Sequence, residues 1–190
     1  IAINMSSFYD FKAKTLEGQE LTMSNFKGKA VLIENTASLW GTTARDFTQM
    51  NELSEKYSGD LVILAFPTNQ FGHQENSDGQ EIINSLAHVR PGNNFKSKAI
   101  MFAKIDVNGE NEHPLFKWLK KNLPSPSDDS EAILKLLADP NLITWKPINR
   151  SDIAGNFEKF LISPDGAPVK RYSRNFLTSD IGSDIKNLIK

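Results

Sequence analysis

The chain has 190 residues, 39% hydrophobic and 24% charged, with a formal charge of -1 and no cysteine. That balance suits one domain, residues 1–190, with a sizeable core. It gives no general attraction for nucleic acid or an anionic membrane, and it excludes disulfides, zinc–thiolate sites and thiol catalysis together.

Ser7 to Phe11 and Gln19 to Thr22 flank the turn Leu16-Glu17-Gly18 and read as an N-terminal hairpin. Ala30 to Asn35 is a continuous apolar run ending in polar residues, the pattern of a strand covered on both faces. A tight Ser38 to Thr43 segment leads into Ala44 to Tyr57, where Phe47, Met50, Leu53 and Tyr57 recur at helical spacing. Leu61 to Phe66 is a second buried strand, closed by Pro67, and the three pieces make a right-handed parallel βαβ unit. Both apolar runs are far too short to span a bilayer.

Glu81 to Leu86 reads as a short helix, Ala99 to Val107 as a strand and Pro114 to Leu123 as an amphipathic helix. Ser127 is expected to cap a helix over Asp128 to Leu137, whose early acidic residues suit a helix N-terminus. Phe157 to Ser163, the turn Pro164-Asp165-Gly166 and Val169 to Tyr172 form a hairpin, and Asp180 to Ile189 closes the chain as a helix. The expected class is α/β. Lys117, Lys120 and Lys121 read as a solvated helix face, and Trp118 and Trp145 as core or interface. His73, His88 and His113 lack metal-ligand spacing, so neither metal nor cofactor is expected.

In a βαβ unit, the carboxyl end of the first strand meets the N-terminus of the following helix, where unpaired N–H groups favour an anion. A thiolate or selenolate placed there has a depressed pKa and is reactive. This chain has Asn35-Thr36-Ala37-Ser38-Leu39-Trp40-Gly41-Thr42-Thr43 at that spot. The segment resembles the glutathione peroxidase signature Asn-Val-Ala-Ser-x-Sec/Cys-Gly-x-Thr, with Trp40 in the selenocysteine place. Leu64-Ala65-Phe66-Pro67-Thr68-Asn69-Gln70-Phe71-Gly72-His73-Gln74-Glu75 is similar to a second signature, departing at Thr68 where Cys is usual. Asn156-Phe157-Glu158-Lys159-Phe160-Leu161 and Lys170-Arg171-Tyr172-Ser173 extend the resemblance almost to the C-terminus.

The resemblance implies a thioredoxin-like fold, with a central mixed β-sheet flanked by helices, and the reduction of hydroperoxides by glutathione or another thiol. It also implies an active-site tetrad of selenocysteine or cysteine, Gln, Trp and Asn. Those places hold Trp40, Gln74, Gly155 and Asn156. An indole N–H does not ionise in water, and the ring lacks a lone pair suited to attacking an O–O bond, so the covalent route is lost. The reading that follows is a non-catalytic relative, kept as a small-ligand-binding or structural protein. The alternative is an ordinary peroxidase in an inactivated or miscoded form.

Trp40 is expected to fill the volume that the missing indole at 155 would leave. By resemblance Arg45, Arg90, Arg171 and Arg174 would hold glutathione carboxylates, with Thr68 beside the ligand; a small apolar ligand is the other occupant considered. The stretch His113 to Trp145 and the Val89-Arg90-Pro91-Gly92 loop resemble features of tetrameric members, implying a homotetramer. The start at Ile1, with no signal peptide visible, fits a processed or trimmed form. With the sequons Asn4-Met5-Ser6 and Asn149-Arg150-Ser151, the compartment stays open between cytoplasmic and secreted.

Overall fold

The computed structural model describes residues 7–189; the sequon at Asn4 lies outside them. Two strands, β1 (Lys12–Lys14) and β2 (Glu20–Thr22), pair antiparallel as the N-terminal hairpin. The first of them starts later than expected. Ser7 accepts a hydrogen bond from the Tyr9 N–H while Asp10 accepts from the Ser7 N–H, so this reciprocal cap turns Phe8–Asp10 into a 3-10 turn.

The remaining strands form one sheet: β3 (Ala30–Thr36), β4 (Leu61–Pro67), β5 (Ile100–Met101), β6 (Lys159–Ile162) and β7 (Pro168–Tyr172), ordered β5-β4-β3-β6-β7. β3 runs parallel to β4 and antiparallel to β6, so the sheet is mixed. Helix α1 (Thr43–Lys56) crosses over from β3 to β4 and buries Phe47, Met50 and Leu53. With Leu32, Ile63, Leu161 and Tyr172 these make the core on one face. On the other face Val31, Ile33, Leu64, Phe66, Phe160 and Ile162 pack under α3 (Pro114–Asn122) through Leu115, Phe116 and Leu119. Burial on both faces is why Ala30 to Ile33 and Leu61 to Phe66 read as unbroken apolar runs. Helix α2 (Gln80–His88) follows β4, α4 (Ala132–Leu136) follows α3, and α5 (Gly182–Leu188) ends the chain.

Four expectations need correcting. The strand expected over Ala99 to Val107 pairs with β4 only at Ile100 and Met101. The chain then bends toward the hairpin, where the Ala103 N–H donates to the Lys14 carbonyl. The helix expected over Asp128 to Leu137 is confined to Ala132–Leu136. Ser127 donates instead to the Arg171 carbonyl, and the Asp128 carboxylate takes the Ser173 N–H and hydroxyl, so neither residue serves a helix end. The final helix begins as a 3-10 turn over Thr178–Ile181. Lys120 is buried rather than solvated, its ammonium shared among Glu112, Asp152 and Asn108. Trp118 and Trp145 are core residues, the latter donating its indole N–H to Asp152 at 2.8 Å.

Candidate active site

The site is built at the carboxyl ends of β3 and β4, where α1 begins. Thr43 anchors that beginning by donating to the Ala37 carbonyl at 2.7 Å. The preceding loop is clamped by Glu75, whose carboxylate accepts the Ser38 N–H at 2.7 Å and the Ser38 hydroxyl at 2.6 Å. Burial pushes the Glu75 carboxyl up, and the two Ser38 hydrogen bonds oppose that rise. The Leu39 N–H donates to the Gln74 carbonyl, and Arg90 donates to the carbonyls of Leu39 at 3.1 Å and Trp40 at 3.3 Å. The loop is thus held from both sides, with Trp40 at its tip.

Trp40 is half-buried and packs against the cores on both faces of the sheet. The Arg174 guanidinium carbon lies 5.6 Å from the indole centroid, a cation–π placement. The same arginine reaches over Gly155: a Cβ built there would sit 2.7 Å from Arg174 Cδ and 3.2 Å from Nη1. Gly155 itself has φ +144°, a conformation that side chains rarely adopt. The atoms nearest that empty Cβ position all belong to Arg174. The space above Gly155 is therefore taken by an arginine stem, where the sequence suggested the Trp40 ring.

Asn156 is buried; its Nδ2 donates to the Thr36 carbonyl at 3.2 Å and more weakly to that of Thr68 at 3.5 Å. Gln74 turns back on its own loop, donating to the Gly72 carbonyl at 3.2 Å. Among the arginines, Arg45 stays partly exposed, with a 3.4 Å contact to Asp46. Arg171 does not. It is 1% exposed and donates to Glu158 at 2.7 Å and to the carbonyls of Leu123, Ser151 and Asp152 at 3.0–3.1 Å. Its fork is committed inside the protein, which corrects its reading as a ligand-side residue. Thr68 is fully buried as well, so it offers no surface to a ligand. Asn149, the second sequon's acceptor, is exposed.

Sequence reasoning missed a layer of buried ionisable groups behind the site. Glu34 on β3 and Lys159 on β6 are direct cross-strand partners, both fully buried. Lys159 donates to the carbonyls of Ser173, Arg174 and Phe176, so it pins the segment that carries Arg174. Glu34 accepts the Thr178 hydroxyl at 2.9 Å, and Thr178 also approaches Asp46. Desolvation pushes the Glu34 carboxyl up to about 8 against the pull of Lys159. Desolvation likewise lowers the Lys159 ammonium. The signal in the sequence was a glutamate directly after the apolar run of β3. Among the described residues no group of three or more His, Asp or Glu is placed to hold a metal ion, and no helix is long and apolar enough to cross a membrane.

Comparison with known proteins gives a consistent picture. Residues 8–120 match the family model described as Glutathione peroxidase. The human protein named Glutathione peroxidase 2 is 53% identical over 190 residues, covering 100% of this chain and 98% of that protein. The mouse protein of the same name is 53% identical over 184 residues, 97% of this chain and 95% of that one. A solved structure titled "Crystal structure of T. cruzi GPX1" superposes with TM-score 0.65 at 30% identity, covering 97% of both chains. A thioredoxin family protein from Chlorobium tepidum shares the fold at TM-score 0.56 and 12% identity, over 100% of both chains.

Proposed function

Since the chain belongs to the glutathione peroxidase family, with its thioredoxin-like fold, we propose that it is a member without peroxidase turnover. The observation that carries this reading is the Trp40 indole, held at the mouth of α1 beneath Arg174, where the family's nucleophile would act. Reduction of a hydroperoxide needs a group that attacks one peroxide oxygen and is then regenerated by thiol. An indole does neither. Gly155 supports the reading further, because the tetrad indole could not be restored there without displacing Arg174.

What remains suits binding. Arg174 over the indole and Arg90 at the Trp40 carbonyl put positive charge beside Trp40, and Arg45 stands partly exposed at the start of α1, so the retained ligand is an anionic thiol such as glutathione rather than a small apolar molecule. The assembly is a homotetramer of one-domain subunits spanning 1–190. Exposed apolar residues support this, since Val89, Leu134 and Leu137 fall in the two segments singled out by resemblance. Light scattering on the purified protein tests the tetramer.

The direct test is a coupled assay with hydrogen peroxide, glutathione and the protein as isolated. The expected rate equals the free-thiol background; turnover above it overturns the proposal. A second reading, an ordinary peroxidase whose codon 40 is recoded or replaced, is favoured by the 53% identity to relatives named as peroxidases. Genomic sequence at that codon and the intact mass separate the two readings. On the second, Trp40→Cys should gain turnover; on the first it should not.

A further inference from the structure

Among the described residues, the buried side-chain polar atoms without a hydrogen-bond partner in the protein are Glu34 Oε2, Asn35 Oδ1, Thr36 Oγ1, Thr68 Oγ1 and Asn156 Oδ1. None is scattered through the cores. All lie on the last residues of β3, on the residue after β4, or on the 155–157 turn. That turn docks on the strand ends through three bonds: Asn35 Nδ2 to the Gly155 carbonyl at 2.9 Å, the Phe157 N–H to the Asn35 carbonyl, and Asn156 Nδ2 to the Thr36 carbonyl. The Thr68 N–H continues the β3–β4 ladder to the Thr36 carbonyl at 2.9 Å.

Strand alternation sorts these atoms. Val31 and Ile33 belong to the α3-side core and Leu32 to the α1-side core, so Asn35 shares the α3 side while Glu34 and Thr36 face α1. Phe66 is on the α3 side and the ladder continues by one step, which puts Thr68 there too. Asn156 reaches the same strand ends by donating to the Thr36 and Thr68 carbonyls, so the unpartnered set gathered there is two amide oxygens, which accept, and one hydroxyl, which donates. Each of the three residues is 0% exposed.

We infer that Asn35, Thr68 and Asn156 form an internal water site between the 155–157 turn and the carboxyl ends of β3 and β4. One water complements the set: its two hydrogens go to Asn35 Oδ1 and Asn156 Oδ1, and its oxygen accepts from Thr68. Three bonds to otherwise orphaned groups is the usual situation of a conserved buried water. The site does not depend on whether Trp40 turns over peroxide. It fixes the Asn156 amide with Nδ2 toward the strand carbonyls and Oδ1 toward the water.

The test rests on the sign of one substitution. Thr68→Val keeps the shape and removes only the hydroxyl. If that hydroxyl holds water, the change lowers Tm by about 2–4 °C, the ordered water disappears from a high-resolution crystal structure, and water-17O relaxation dispersion counts one fewer long-lived water. Thr68→Ser should keep both the water and most of the stability. An unchanged or raised Tm in Thr68→Val, or a parent crystal structure with no density between the three side chains, overturns the site.

Discussion

Arg171 and Arg174 stand three residues apart on one stretch of chain and do opposite things. Arg171 lies inside the protein, its ion pair with Glu158 sealed from solvent and three backbone carbonyls satisfying the rest of the fork. Arg174 is half-exposed and rests its charge on an aromatic face, with its aliphatic stem filling the room above a glycine. Identical chemistry thus serves the frame in one place and the candidate site in the other. What separates them is position: Arg171 lies within β7, where its neighbour Tyr172 is buried too, while Arg174 lies past the strand, on a segment that Lys159 holds by its carbonyls.

The comparison breaks most easily at Arg171. Replacing it with Met should cost about 3–5 kcal/mol in urea unfolding, because Glu158 is left buried and uncompensated. A cost under 1 kcal/mol would mean that the fork is replaceable by water. Gly155→Ala should cost about 1–3 kcal/mol, from a φ that alanine tolerates badly and a contact that forces Arg174 aside. The same change should alter Trp40 fluorescence, as no substitution at 171 would.

A third test concerns the layer that positions Arg174. Glu34 is raised from 4.5 to about 8 on folding, so the folded state binds its proton more tightly, and this stabilisation fades as pH rises from 4.5 to about 8. The Tm of the parent relative to Glu34→Gln should therefore fall across that window, by about 2–4 °C if 1 kcal/mol is at stake. A constant difference would show that Glu34 keeps an ordinary pKa. The smallest effect is expected from Arg174→Ala, about 0.5–1 kcal/mol, the size of a partly exposed cation–π contact. Its sharper signature is a change in indole emission and weaker binding of glutathione by calorimetry.

The sheet was legible because burial on both faces leaves apolar runs at 30–33 and 61–66, and because Phe47, Met50 and Leu53 mark one side of a helix. The place of Trp40, at a strand end and a helix start, followed from the same periodicity. The stretch after Pro126 was misread because Ser127 and Asp128 look like helix-capping residues, yet spend their side chains on β7 and on Ser173 just beyond it, more than forty positions away. No local pattern announces such a partner. For the same reason Lys120 passed for a surface lysine: its three acceptors come from Asn108, Glu112 and Asp152, and only the folded chain assembles them. Gly155 could be recognised as a departure, but the arginine that profits from it could not.

The brevity of β5 has a consequence for handling the protein. With pairing confined to Leu64 and Ala65, the first half of β4 keeps an open flank of backbone donors and acceptors, the kind of edge on which chains add to one another and aggregate. An ion pair between Lys98 and Glu55, 2.8 Å apart, stands beside that flank and places charge where an incoming strand would have to lie. Neutralising both residues should leave the fold intact and shorten the time the protein stays clear in concentrated solution.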